Sequence, residues 1–270
     1  VNVLDRWCYS HWPKFFDLQT RCFKGYWKRA ELGGDLDSMQ KKKTFYAVHP
    51  HGIYSAAWIT NMIWNKQFHK YAGFCYYVVD ATLKDKGFLS RFVAESWEGP
   101  HGAIISNYSH ILKKAMETGE SVSTVVGAYQ ETTLYEWGRE FLFVSNRKGF
   151  IKYCLQYGYR IQPVYCFGES KIFTCFTPFK NLRRWFCHYF RWTAALPLGL
   201  WWTSFLFPYP DIELLTFVGP PVELPHIQEP TQADIDEWHA KFLVALVALF
   251  DKHKAEAGIP DAKLVVLPPI

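Results

Sequence analysis

Phe45-Tyr46-Ala47-Val48-His49-Pro50-His51-Gly52-Ile53 is the stretch on which the fold turns. Its first half is aromatic and β-branched, and with Lys43 and Thr44 it predicts a strand over 43–48 that ends at His49. Pro50 fixes the backbone and Gly52 permits a tight turn. Residues 53–64 then read as a helix that is apolar nearly all round, hence buried or lipid-facing. Strand, turn and helix in that order form one unit of an α/β fold, and both imidazoles stand where an open α/β sheet presents its ligands. On the residues alone two readings remain. One is a base that takes a proton from an alcohol during acyl transfer; the other is a loop with two solvated or core-satisfied histidines.

Outward from this unit the pattern repeats. Strands are predicted over 74–79, 102–106, 121–126, 160–167 and 213–218, and a helix over 87–97. Ser109 reads as the N-cap of a helix to Thr118 closed by Gly119, and Asn146 as the N-cap of one to Tyr157 closed by Gly158. The last helix opens at Pro230-Thr231, repeats Ile235, Trp238, Phe242, Leu246 and Leu249 at three- and four-residue steps, and stops before Gly258 and Pro260. The fold class is α/β, with a mixed, largely parallel sheet flanked by helices. No repeat, low-complexity tract or linker divides residues 1–270, which read as one domain.

Further polar groups gather at strand ends. Gln130 and Glu131 follow the strand at 121–126, the carboxylate orienting an imidazole, holding a substrate hydroxyl or lying in a surface turn. Arg147, Lys148 and Gly149 open a helix, where free amides and cations suit phosphate, or make a solvated basic face. Gly168-Glu169 closes the strand at 160–167. Lys41-Lys42-Lys43 and Arg183-Arg184 read as surface charge facing anionic headgroups.

Composition sets the class. With 49% hydrophobic and 20% charged residues, a chain of 270 can bury a core and is not disordered. The aromatic share, 19%, suits a lipid interface. A net charge of +5 favours an anionic membrane face and is far below that of a dedicated nucleic-acid binder. Seven cysteines without a C-x-x-C pair argue against a disulfide framework and a zinc ribbon, and for a reducing compartment. The other histidines show no ligand spacing, so His49-x-His51 has no further zinc partners. No signal peptide is recognisable, and the opening Val1 reads as that of a fragment. Two stretches without Asp, Glu, Lys or Arg, 44–65 and 192–210, are broken by turns or prolines and read as no membrane span. The second reads as a shallow membrane patch or buried core, with Trp201, Trp202 and Phe205 at the headgroup boundary. The sequon Asn107-Tyr108-Ser109 would matter only on a lumenal face, whereas the cytosolic face is expected.

Six blocks in order carry a resemblance. They are Phe45 to Ile53; Val126-Gly127-Ala128-Tyr129-Gln130-Glu131; Asn146-Arg147-Lys148-Gly149-Phe150; Val164-Tyr165-Cys166-Phe167-Gly168-Glu169; Val218-Gly219-Pro220-Pro221-Val222-Glu223-Leu224-Pro225; and Pro230-Thr231 through Trp238-His239. The chain resembles the diacylglycerol acyltransferase type 2 family, with its monoacylglycerol and wax-alcohol members. The resemblance implies a glycerolipid-acyltransferase-like fold and transfer of a fatty acyl group from acyl-CoA to diacylglycerol, giving triacylglycerol. Monoacylglycerol or a long-chain alcohol is the alternative acceptor. It implies His51 as general base with His49 second, Glu131 orienting the imidazole or the alcohol, and amides around Gly52 meeting the oxyanion. Arg147 and Lys148 would meet CoA phosphates, and Pro50, Gly52, Gln130, Gly149, Gly168 and Glu169 would line the substrate site. No metal or prosthetic group is required, since acyl-CoA is a substrate. The implied setting is the cytosolic face of the endoplasmic reticulum membrane or a lipid droplet, with self-association unopposed and the family's N-terminal membrane hairpin missing. The chain departs from the family at Ala128, where Gly-Gly is usual, at Asn107, where Arg follows Ser, and over 181–209. A catalytically silent lipid-binding protein of the membrane surface is the rival class, against which both histidines argue.

Overall fold

A computed structural model describes residues 21–22, 24–85, 101–175, 178–190, 193, 195–202 and 207–267. The chain enters on β1 (Arg29–Gly34) and β2 (Thr44–His49). Next come α1 (Ala56–Trp58), running on as a π-helical turn (Ile59–Ile63), and α2 (Lys66–Ala72). Then follow β3 (Cys75–Val79), α3 (Ala81–Asp85), β4 (Gly102–Ser106), α4 (Ser109–Glu117), β5 (Ser121–Val125) and α5 (Ala128–Leu134). After β6 (Phe141–Leu142) and α6 (Gly149–Tyr157) come β7 (Arg160–Phe167), β8 (Thr174–Cys175), α7 (Lys180–Phe190) and β9 (Pro197–Leu198). The chain closes with β10 (Glu213–Val218), α8 (Gln232–His253) and β11 (Val265–Val266).

One seven-stranded sheet in the order β1-β10-β7-β2-β5-β3-β4 organises these elements. From β7 to β4 neighbours pair in parallel, whereas β10 runs antiparallel to β7 and carries β1 with it. β2 and β7 are buried along their whole length, the state of strands covered on both faces. Alternation divides them cleanly. Tyr46 and Val48 join a core with Ala57, Met62 and Trp64 on one face, while Phe45 and Ala47 join Phe150, Leu246 and Phe250 on the other. α8 opens with a capping box between Thr231 and Asp234, and lays Ile235, Phe242, Leu246 and Leu249 on that second face.

The mixed, largely parallel sheet is the class expected. Strands fall where predicted because each is a short apolar run between turn residues, and Gly158 closes α6 at φ 64°. Four expectations change. Ser109 is the first residue of α4, whose cap is Tyr108, and α6 starts at Gly149 rather than behind an Asn146 cap. Gly127-Ala128 opens α5 where a loop was expected, and β1 and α7 went unforeseen. Arg183, taken for surface charge, is buried, and its Nη1 donates to the Thr133 carbonyl at 2.8 Å. The expected helix over 87–97 lies outside the described residues. Among those described, no helix is long and apolar enough to cross a membrane.

Candidate active site

β2, β5 and β7 lie side by side and parallel, so the segments that follow them meet at one edge of the sheet. His49 continues the alternation of Phe45 and Ala47 and turns toward α8, where its ring lies 6.0 Å from that of Phe242. It is fully buried, and neither ring nitrogen reaches a hydrogen-bond partner. A cis peptide joins it to Pro50, and the chain turns through Gly52 at φ 59°. His51 therefore leaves the sheet and is partly exposed.

The turn is held from below by Glu131. Gly127 makes this possible: a Cβ there would stand 1.8 Å from the Glu131 carboxyl carbon. Folded back against the glycine, the carboxylate accepts from the Phe143 amide at 2.8 Å and from the His51 amide at 2.6 Å. Its Oε1 is 3.8 Å from His49 Nδ1, an electrostatic contact longer than a hydrogen bond. Burial favours the neutral acid, but His49 and the two amides outweigh it and hold Glu131 below the usual glutamate pKa. Beside it Ala128 adopts φ 47°, the left-handed region, which costs a non-glycine residue about 1–2 kcal/mol. This is where the family usually has its second glycine.

Thr132, the next residue on α5, orients the imidazole. Its Oγ1 is 2.9 Å from His51 Nδ1 and 3.0 Å from the Gly52 carbonyl. A hydroxyl has one proton and a carbonyl only accepts, so Oγ1 donates to Gly52 and accepts from Nδ1–H. That tautomer leaves the lone pair on Nε2, which has no protein partner among the described contacts. Desolvation lowers the His51 pKa below its ordinary value against the opposing pull of Glu131, so the ring is neutral near pH 7. Thr132 carried no motif signal; only the turn of α5 brings it there.

Glu169 packs under the same turn. Its Oε2 would lie 2.6 Å from a Cβ on Gly52, so glycine is required there for space as well as for φ. Oε1 accepts from the Ala57 amide, while Oε2 is buried without a partner. Burial raises this carboxyl to about 8, partly opposed by the Ala57 amide and reinforced by Glu140.

The remaining expectations divide. Glu131 is 2% exposed, and its carboxylate accepts from the His51 and Phe143 backbone amides with no hydrogen bond to the His51 ring among the described residues. Lys148 pairs with Asp236 at 2.7 Å, and Arg147 donates to Gln130 Oε1. Gly149 touches nothing within 4 Å of its Cβ position, so packing does not demand glycine. Gly168 is structural: at φ 95°, a Cβ would meet the Glu213 carbonyl at 2.2 Å. Among the described residues no group of three His, Cys, Asp or Glu could hold a metal ion.

A family model described as diacylglycerol acyltransferase matches residues 21–267. The chain belongs to this family. It is 35% identical over 158 residues to diacylglycerol O-acyltransferase 2-like protein 6 of Homo sapiens, covering 54% of this chain and 47% of that one. Human diacylglycerol O-acyltransferase 2 is 32% identical over 157 residues, 55% of this chain and 40% of its own. Human acyl-CoA wax alcohol acyltransferase 2 is 28% identical over 228 residues, 80% of this chain and 67% of its own. The matches thus span less than half the length of the first two relatives. Among solved structures, the 1-acyl-sn-glycerophosphate acyltransferase PlsC of Thermotoga maritima is similar with a TM-score of 0.47 and 10% identity, over 92% of this chain and 83% of its own.

Proposed function

We propose that this diacylglycerol acyltransferase family member transfers a fatty acyl group from acyl-CoA to the free hydroxyl of diacylglycerol. The observation that carries the mechanism is the Thr132 hydroxyl set between His51 Nδ1 and the Gly52 carbonyl, from which we assign the proton to Nδ1 and the free lone pair to Nε2. Nε2 takes the hydroxyl proton as the acceptor oxygen attacks the thioester carbonyl. The C–S bond then breaks, and the imidazolium returns the proton to CoA thiolate. Backbone amides of the Gly52 turn are the oxyanion donors in this reading. Glu131 fixes the turn and His49 fills its base. The site works at a membrane surface, on the cytosolic face of the endoplasmic reticulum or a lipid droplet, where acceptor and product dissolve. A long-chain alcohol is the second acceptor, favoured by the likeness to the wax alcohol enzyme over 80% of the chain.

Purified protein in detergent micelles, given labelled acyl-CoA and a panel of diacylglycerol, monoacylglycerol and fatty alcohol, tests this directly. Diacylglycerol should be the best acceptor. His51→Ala should lose about a hundredfold or more in turnover, and Thr132→Val about fivefold. Because the base must be neutral and its pKa is lowered, kcat/KM should hold above pH 6.5 and fall only at more acid pH. Near wild-type turnover in His51→Ala would remove the base; no transfer to any acceptor would remove the enzyme.

A further inference from the structure

Next to Glu131, on the side of Phe143, lies a cleft of about 280 Å³. Tyr129 and Gln130 of α5, Asn146 and Arg147 before α6, and Arg184 and His188 of α7 line it, and no acidic side chain does. Two guanidiniums facing one cleft repel each other unless an anion or carboxylate stands between them. Three other cations illustrate the usual arrangement, each beside a carboxylate: Lys148 with Asp236, Arg160 with Glu223 and Arg139 with Glu136. No carboxylate ion pair engages Arg147 or Arg184 among the described residues, and Arg147 Nε is buried with no partner. Arg147 is held by Gln130 Oε1 and lies 5.9 Å from the Tyr129 ring centre.

α7 is built to deliver the other half. Arg183 and Cys187 are buried, and the Arg183 bond to Thr133 ties the helix to α5. One residue further round the helix, Arg184 and His188 are a turn apart and share the cleft side. Phosphate esters match paired guanidiniums, whose planar forks bind two oxygens at once.

We propose that this cleft binds the phosphate-bearing end of the acyl donor, through Arg147, Arg184 and His188 and without Lys148. It rests on the acyl-CoA reading above and assigns that donor's anionic end to α7, an element outside the motif blocks. The cleft adjoins Glu131 through Gln130 and Phe143, so a donor anchored here directs its thioester toward the His51 turn.

The test measures CoA affinity by calorimetry and acyl-CoA kinetics on the full chain in micelles. Arg147→Ala and Arg184→Ala should each weaken CoA binding and raise acyl-CoA KM about tenfold, with kcat within about threefold. Lys148→Ala should match the parent in both. Arg184→Gln, which keeps the stem, covers the case in which Arg184→Ala does not fold. CoA affinity and acyl-CoA KM unchanged in folded Arg184→Gln would overturn the site while leaving the enzyme. Weakened CoA binding in a chain that transfers no acyl group would uphold the cleft and sink the activity. Loss of binding to phosphatidylserine vesicles, with CoA affinity intact, would make it a headgroup site and overturn the proposal.

Discussion

At the scale of single residues, the turn after β2 is defined by what glycines make room for. Gly52 admits Glu169 and Gly127 admits Glu131, so two buried carboxyls support one histidine loop. Their charge states differ because Glu131 has two amides and His49 around it, whereas Glu169 has the Ala57 amide alone. With a folded pKa of about 8 against an ordinary 4.5, Glu169 stays protonated in the fold while the unfolded chain ionises. Below pH 4.5 both states hold the proton and Glu169 carries no penalty. As pH rises toward 8, the unfolded state is favoured by about 1.4 kcal/mol per unit. Glu169→Gln, a neutral mimic, should therefore match the parent near pH 4 and gain on it progressively to pH 8. Denaturant melts at intervals across that range read the difference; parallel curves would mean that the carboxyl ionises within the fold. Both carboxyls were visible in the sequence as residues at strand ends. Which was charged was not, because that depends on the amide of Ala57, far from Glu169 along the chain, and on that of His51, far from Glu131.

At the scale of elements, α7 presents three stripes. Arg183 and Cys187 face α5, Arg184 and His188 face the cleft, and Leu182, Trp185 and Tyr189 face outward, exposed by 58%, 50% and 66%. Phe190 extends the outward surface, and Leu196, Trp201 and Phe207 lie exposed in the segment beyond. Exposed aromatics in such density suit a headgroup boundary. Sequence reading put the membrane contact at Trp201, Trp202 and Phe205, of which the structure describes the Trp201 side chain, exposed. Replacing Trp185, Tyr189 and Phe190 by Ser should thus weaken flotation with phosphatidylcholine–phosphatidylserine vesicles and raise the acceptor KM, leaving acyl-CoA KM in place. A folded triple variant floating like the parent would return these rings to ordinary surface. The motif blocks bypass α7, which is why the sequence left its role open.

At the scale of the whole molecule, the strands that carry the histidine turn at their ends are the best protected, and the α7 wall of the cleft is the least tied to the sheet. β2, β5 and β7 pair on both sides and are covered on both faces, whereas among the described residues β8 and β9 pair only with each other and α7 leans chiefly on α5. Amide hydrogen exchange should accordingly be slowest in those central strands and fastest across α7, β8 and β9, with a separation of orders of magnitude. Equal protection of α7 and β2 would mean that the α7 region unfolds only with the core. The chain by itself determined the strands, the closing helix and the sheet class. Those depend on local apolar runs, breakers and capping residues, which act over a few positions. It also placed His49, His51, Glu131 and Glu169 at strand ends, because a parallel sheet brings those ends to one edge. Only the tertiary structure decided that His49 is buried and His51 open, that Thr132 sets the imidazole tautomer, and that Glu131 holds backbone rather than a ring. Only it joined Arg147 to Arg184 and gave Lys148 to Asp236. Such pairings connect residues distant in the chain through packing, and no local pattern encodes which atoms will meet.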